Sequence, residues 1–298
     1  MGKRNLALIA ATLVSIIYGV TFTIAKDVMP AYVKPFGFIV LRVGGSALLF
    51  WLCAFFTPKQ KIALNDFPRI AAAALFGVAL NMLTFFQGLS LTSPIMASVL
   101  MVTTPMIVLV LSAIIIKEKI AGKKALGIAL GLAGTVVLIL YGKTVNSGGN
   151  ALWGNFLVFV NAVSYGLYLI LVKKLMDKYN PFTFVKYIYL FGFIMVLPFG
   201  WEQLSEVGLA TMPQDIIIKI VFVVVFSTFL TYLLNLLSMK ELKPTTVAVF
   251  IYLQPFFATV FSISLGKDEL SLVKVLSALL IFTGVYLVTM TGKSKSAA

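Results

Sequence analysis

Along most of this chain apolar residues run on for about twenty positions at a time, and charged residues gather in the short gaps between the runs. Ten such runs can be counted, at residues 5–25, 36–57, 68–88, 93–116, 123–141, 151–172, 181–201, 216–238, 244–266 and 270–291. Crossing roughly 30 Å of hydrocarbon takes about 20 helical residues, so each run is long enough for one passage. In hydrocarbon only helices and closed barrels satisfy their own backbone polar groups, and these runs lack the alternation of a barrel strand. The pattern predicts an all-α integral membrane protein with ten transmembrane helices. The first run is too long and uninterrupted for a signal peptide, and is expected to stay in the mature protein.

One stretch breaks the apolar rhythm with Ser, Gly and Asn: KTVNSGGN at 143–150. It predicts a linker at 144–150 between an N-terminal unit, 1–143, and a C-terminal unit, 151–298. Each unit holds five helices. Because five is odd, the second unit enters the membrane from the opposite face, and the two are expected to be related by inverted topology. Residue matches support a duplication: 10 of the 50 positions in 92–141 recur at a spacing of 150, among them Pro94/Pro244, Pro105/Pro255, Lys117/Lys267, Lys124/Lys274 and Gly134/Gly284. Tyr18, Gly19, Lys26 and Met29 match Tyr165, Gly166, Lys173 and Met176 at a spacing of 147. Internal repeats of this length in an apolar chain are how many secondary transporters are built.

Both copies of the fourth helix carry a proline near mid-span, Pro105 and Pro255. Each removes a helical hydrogen bond and is expected to free a carbonyl, that of Met101 or Ile251, which makes the pair candidate hinges. Polar side chains also fall on single helix faces. The third helix has Asn81, Thr84 and Gly88; the sixth has Asn161, Ser164, Tyr165 and Tyr168; the eighth has Thr228, Thr231, Tyr232 and Asn235. Three such stripes favour a water-accessible cavity, with interhelical hydrogen bonding as the competing explanation. Thr104 and Gln254 precede the two prolines and Tyr252 lies close by. With Tyr18, Asn81, Thr84, Asn161, Tyr165, Tyr168, Thr231, Tyr232 and Asn235 they form the expected substrate-binding set, suited to a small neutral or zwitterionic solute.

Composition narrows the choices. At 60% hydrophobic and 11% charged residues the chain lies far from the soluble norm of about 25% charged. Its net charge of +14 in a soluble domain would point to nucleic acid, but here Lys and Arg are lopsided. With the N-terminus cytoplasmic, 17 of the 24 fall on cytoplasmic segments, so both termini are expected there and no nucleic-acid partner is. Cys53 is the only cysteine and histidine is absent, which argues against a metal site or a disulfide. A GKT at 142–144 has Val137 where a phosphate-binding loop needs Gly, so no ATP-driven engine and no cofactor is expected. All ten carboxylates lie in loops or at helix ends, leaving no intramembrane proton carrier. Arg42, about 9 Å into the second helix, is read first as a snorkelling side chain, with contact to a substrate carboxylate as the alternative. Gly127, Gly131 and Gly134 form a small-residue surface for packing within the chain, or for a homodimer. Without paired intramembrane carboxylates no catalytic residue is assigned and the chain is not expected to be an enzyme.

LSLTSPIMASVLMVTTPMIVLVLSAIIIKEKIAGKKALGIALGLAG, residues 89–134, and its second copy at 239–284 resemble the EamA-type permeases of the drug/metabolite transporter superfamily. The resemblance covers nearly the whole chain, with Lys117-Glu118 and Lys267-Asp268 where the family often shows Gly-Glu. It implies a monomeric inner-membrane carrier with a central cavity between the halves, built mainly by helices 1, 3, 4, 6, 8 and 9. It further implies export of amino acids or related metabolites by alternating access. Carriage of nucleotide sugars or drugs, or scrambling of a lipid headgroup, are the other outcomes kept open.

Overall fold

The computed structural model describes residues 2–29, 31–57, 60–91, 97, 100–141, 151–208, 211–264 and 271–290. The expected linker, Pro94 and the Lys267-Asp268 pair lie outside these residues. Every regular element among the described residues is helical. In chain order they are α1 (Lys3–Val28), α2 (Pro35–Phe55), α3 (Phe67–Ala74), α4 (Leu80–Leu91), α5 (Thr104–Ile115), α6 (Gly122–Leu140), α7 (Ala151–Met176), α8 (Pro181–Ser205), α9 (Gln214–Phe222), α10 (Thr231–Glu241), α11 (Pro244–Val249), α12 (Leu253–Ser264) and α13 (Leu272–Met290). A π-helical segment, Leu75–Ala79, joins α3 to α4, and another, Val223–Leu230, joins α9 to α10. A 3₁₀ turn, Phe250–Tyr252, joins α11 to α12. Among the described residues nine helical runs are long and apolar enough to cross a membrane, with α5 as a shorter apolar helix.

Helix starts follow local chemistry. Proline, whose missing N–H is harmless in a first turn, stands at the start of α2, α3, α5, α8 and α11. Asn180 caps α8 by accepting from the Phe182 N–H at 3.2 Å. α5 ends differently. After Ile116, Lys117 adopts φ 52° and the Glu118 N–H donates back to the Ser112 carbonyl at 3.1 Å, a closure that glycine makes more cheaply than lysine.

α6 packs along α13, and glycine makes the contact close. A Cβ on Gly284 would stand 2.6 Å from the Gly131 nitrogen, and one on Gly127 would stand 2.7 Å from the Gly284 carbonyl oxygen. α2 packs along α8, α4 along α7, and α1 along both α10 and α12, while α7 also contacts α5. Buried apolar residues form a central cluster that includes Val43, Val78, Tyr168, Leu169, Tyr189 and Leu236. A second surrounds Ile128, Tyr252 and Ile281, and a third lies where α1, α2 and α9 meet. Outward positions such as Leu48, Leu52 and Phe55 on α2 are exposed large apolar side chains, as a lipid-facing stripe requires. An apolar cleft of about 390 Å³ opens between Leu138, α12 and α13.

Candidate functional site

Side chains from both halves converge near the middle of the bundle. Tyr18 comes from α1, Arg42 from α2, Tyr165 and Tyr168 from α7, Tyr189 from α8, Thr228 from the second π segment, and Thr231 and Tyr232 from α10. Tyr232 is the hub. Its ring centroid lies 5.2 Å from that of Tyr189, edge to face, and 5.8 Å from that of Tyr168, which in turn lies 6.0 Å from Tyr165. Such tilted aromatic contacts add specific geometry to the burial of large side chains. Gly77 makes room for this cluster, since a Cβ there would overlap the Tyr168 ring.

The two π segments organise the polar contacts. A π turn departs from the i→i−4 ladder, and around each one backbone carbonyls accept from side chains. Phe76 accepts from Ser164 Oγ at 2.7 Å and Gly77 from Tyr232 Oη at 2.6 Å. In the second segment Val223 accepts from Thr228 Oγ1 at 2.8 Å, Val224 from Ser46 Oγ at 3.2 Å and Ser227 from Thr231 Oγ1 at 2.7 Å. Tyr18 Oη and Thr231 Oγ1 are hydrogen-bonded at 3.2 Å, joining α1 to α10.

Arg42 does not snorkel. Its Nε donates to Thr228 Oγ1 at 3.1 Å, its guanidinium carbon stands 5.9 Å from the Phe38 ring centroid, and its charge is felt at Tyr18, Tyr189 and Tyr232. The side chain therefore turns inward. Tyr189, which the polar stripes did not include, lies 147 positions after Arg42, the spacing that pairs Tyr18 with Tyr165.

Several expected residues serve the bundle itself. Asn81 Nδ2 donates to the Asn161 carbonyl at 3.4 Å and Asn161 Nδ2 to the Asn81 carbonyl at 2.6 Å, so the two amides staple α4 to α7. Thr84 Oγ1 donates to the Leu80 carbonyl of its own helix at 2.7 Å. The polar groups of Asn81 and Asn161 are thus used between helices, and the Thr84 hydroxyl within its own helix. Thr104, fully buried, donates to the Met101 carbonyl at 2.5 Å and so satisfies the group that Pro105 was expected to free. At the second break it is the Phe250 carbonyl that is met, by Ser15 Oγ at 2.8 Å. Both prolines stand at the start of a helix that follows a turn, Pro105 in α5 and Pro255 in α12. Tyr252 belongs to another core, pressed on Gly131 of α6 and away from the tyrosine cluster. Gln254 is partly accessible, and its backbone carbonyl lies where α12 meets Gly19 of α1; Asn235 is buried one turn beyond Thr231.

Charges at the helix ends are handled otherwise. Glu118 meets Lys124 Nζ at 2.5 Å and accepts from Thr245 Oγ1 at 2.8 Å, and Lys124 also contacts Thr245, with the side chains of the ion pair only 3% and 7% exposed. The contact joins the α5–α6 turn to α11. On the same side Asp66 accepts from Tyr179 Oη at 2.7 Å and from Lys178 and Arg69 at 3.1 Å. At the other ends of the helices Lys34 pairs with Glu206 at 2.7 Å in the open, and that hydrogen bond raises the Lys34 ammonium above its ordinary value.

A bundle of lipid-length helices with a polar interior and an inward-turned arginine defines a multi-pass membrane protein. The family can be stated more closely. The chain matches the EamA-like transporter family over residues 5–140 and again over 152–290, and it belongs to that family, within the drug/metabolite transporter superfamily. It is 28% identical to an uncharacterized transporter of Archaeoglobus fulgidus over 91% of this chain and 94% of that one. To the uncharacterized transporter YyaM of Bacillus subtilis it is 26% identical, over 91% and 89%. A solved crystal structure shares the fold with a TM-score of 0.79 at 16% identity, over 96% of this chain and 97% of that one. The protein is thus a transporter and not an enzyme.

Proposed function

We propose that this transporter exports amino acids or closely related small polar metabolites across the inner membrane by alternating access, with both termini cytoplasmic. The observation that carries the reading is the convergence of Arg42 with the hydroxyls of Tyr18, Thr231 and Tyr232, drawn from both halves onto the two π segments. A solute there would be contacted by both halves, as rocking of one against the other requires. In this reading ten helices form two inverted five-helix units, 1–143 and 151–298, joined by 144–150. Exchanged partners support the symmetry. α4 of the first unit lies on α7 of the second as α10 of the second lies on α1 of the first, and α7 meets α5 as α1 meets α12. The π segments begin 148 residues apart, between the two repeat spacings. Tyr18, Tyr165, Tyr168, Tyr189, Thr231 and Tyr232 then line the site, with Asn235 and Gln254 at its margins and Pro105 and Pro255 as hinges.

The cleft beside α12 and α13 is lined mainly by apolar side chains, with Thr259 and Lys274 its only polar members, which weighs against the scramblase alternative. The test is counterflow in sealed proteoliposomes, loading unlabelled amino acids and following radiolabelled uptake with no ion gradient. Accumulation that is lost in Tyr232→Ala, in protein that remains monodisperse, is the expected result. Uniform silence for amino acids alongside uptake of nucleotide sugars would overturn the substrate class.

A further inference from the structure

Arg42 is set apart from the ion-paired Lys124 by what surrounds it. It sits about 10 Å along α2 from Pro35, and its Nε bond to Thr228 draws the guanidinium towards the middle of α9–α10. Among the described residues no carboxylate meets it, and the groups in its field are the phenols of Tyr18, Tyr189 and Tyr232. A guanidinium inside a membrane is expensive and is normally paired or placed at a solute path. With Nε committed to Thr228, the two terminal nitrogens keep the planar fork that matches a carboxylate. Arg42, Tyr18 and Tyr165 remain partly accessible although they are interior positions. Beside them the Tyr168 hydroxyl is buried with no partner, a polar group of the kind that a bound molecule satisfies.

We propose that Arg42 is the anchor for a carboxylate on the transported solute, with Thr228 fixing the guanidinium and the Tyr18 and Tyr232 hydroxyls completing its surroundings. The inference rests on the amino-acid reading above and sharpens it. The recognised group is the carboxylate, so amino-acid amides and decarboxylated amines are rejected. An ammonium on the same solute would lie against the faces of Tyr165, Tyr168 and Tyr189, which attract cations. A further consequence concerns turnover. The empty site carries an uncompensated cation and the loaded site does not, so reorientation is faster when loaded and exchange outpaces net flux.

The test is counterflow of a radiolabelled L-amino acid by the wild type, Arg42→Lys and Arg42→Gln, with competition by the amino acid, its amide, its decarboxylated amine and its deaminated carboxylic acid. Carboxylate competitors are expected to bind the wild type and to lose at least about 30-fold in affinity in Arg42→Gln, the scale of breaking one side of a desolvated charge pair. Arg42→Lys should fall between, because it keeps the charge and loses the fork; should Arg42→Gln fail to yield monodisperse protein, this variant carries the comparison. Unchanged competition by the acids in both variants, or equal competition by acids and amides in the wild type, overturns the anchor and leaves amino-acid transport standing. If only the deaminated acid is carried, and in an Arg42-dependent way, the anchor stands and the amino-acid reading falls. Transport of uncharged or cationic solutes only, or of none of the panel, overturns both.

Discussion

Lys124 and Arg42 are both cations withdrawn from water, yet one is fully met and the other is not. Lys124 has a carboxylate at 2.5 Å and a hydroxyl beside it, and it ties the α5–α6 turn to α11. Arg42 has one hydroxyl on Nε and phenols around its charge. The pair teaches how to separate architecture from function when both are buried charges. A cation whose counter-ion is in the chain holds helices together; one whose counter-ion is missing marks where a solute supplies it.

That contrast can be broken most forcefully at Glu118. Glu118→Gln leaves the Lys124 ammonium buried without its anion and should lower stability by about 3–5 kcal/mol, read from denaturant titration in detergent. A loss below about 1 kcal/mol would mean the ammonium finds water. The converse change, Thr228→Asp, gives Arg42 a resident carboxylate and so makes it resemble Lys124. Transport of amino acids should drop about 100-fold while gel filtration still shows a folded protein, the loss corresponding to about 2.8 kcal/mol. Tyr232→Phe leaves the Gly77 carbonyl without its donor and should cost about 1–3 kcal/mol in the same titration; no loss would show that another donor replaces it. Lys117→Gly relieves a left-handed lysine and is expected to gain about 1 kcal/mol. Smallest is Lys34→Ala, where an exposed pair with Glu206 disappears and the unfolding midpoint should not measurably move.

Helix positions were legible because an apolar run long enough for the bilayer has few other ways to fold. The run expected at 36–57 is α2 at Pro35–Phe55, and that at 123–141 is α6 at Gly122–Leu140. α7 extends past its apolar run to Met176, because a helix continues beyond hydrocarbon through Lys173 and Lys174 at no cost to its backbone. The site was half legible. The stripes on α7 and α10 hold Tyr165, Tyr168 and Tyr232, whose rings the fold sets side by side, but a stripe does not say whether a polar group meets water or a neighbouring backbone. Asn81 and Asn161 meet each other's carbonyls. The depth of Arg42 along α2 leaves open which way its long side chain turns, and it turns inward to Thr228. Tyr189 carried a signal in its repeat spacing from Arg42 that polar periodicity could not register. The π segments left no mark in the apolar pattern, because one widened turn among apolar residues changes neither their number nor their kind.

The glycine-to-backbone contact of α6 with α13 has a consequence for the bilayer itself. Among the described residues each of these helices spans 19 residues, about 28 Å, whereas α7 spans 26 residues and about 39 Å. A pair locked at backbone distance cannot lengthen its apolar span, so it matches a hydrocarbon layer slightly under the usual thickness, and the longer helices fit that layer by tilting or by letting their ends emerge. Acyl chains that thicken the layer are therefore expected to strain the short pair before the longer helices.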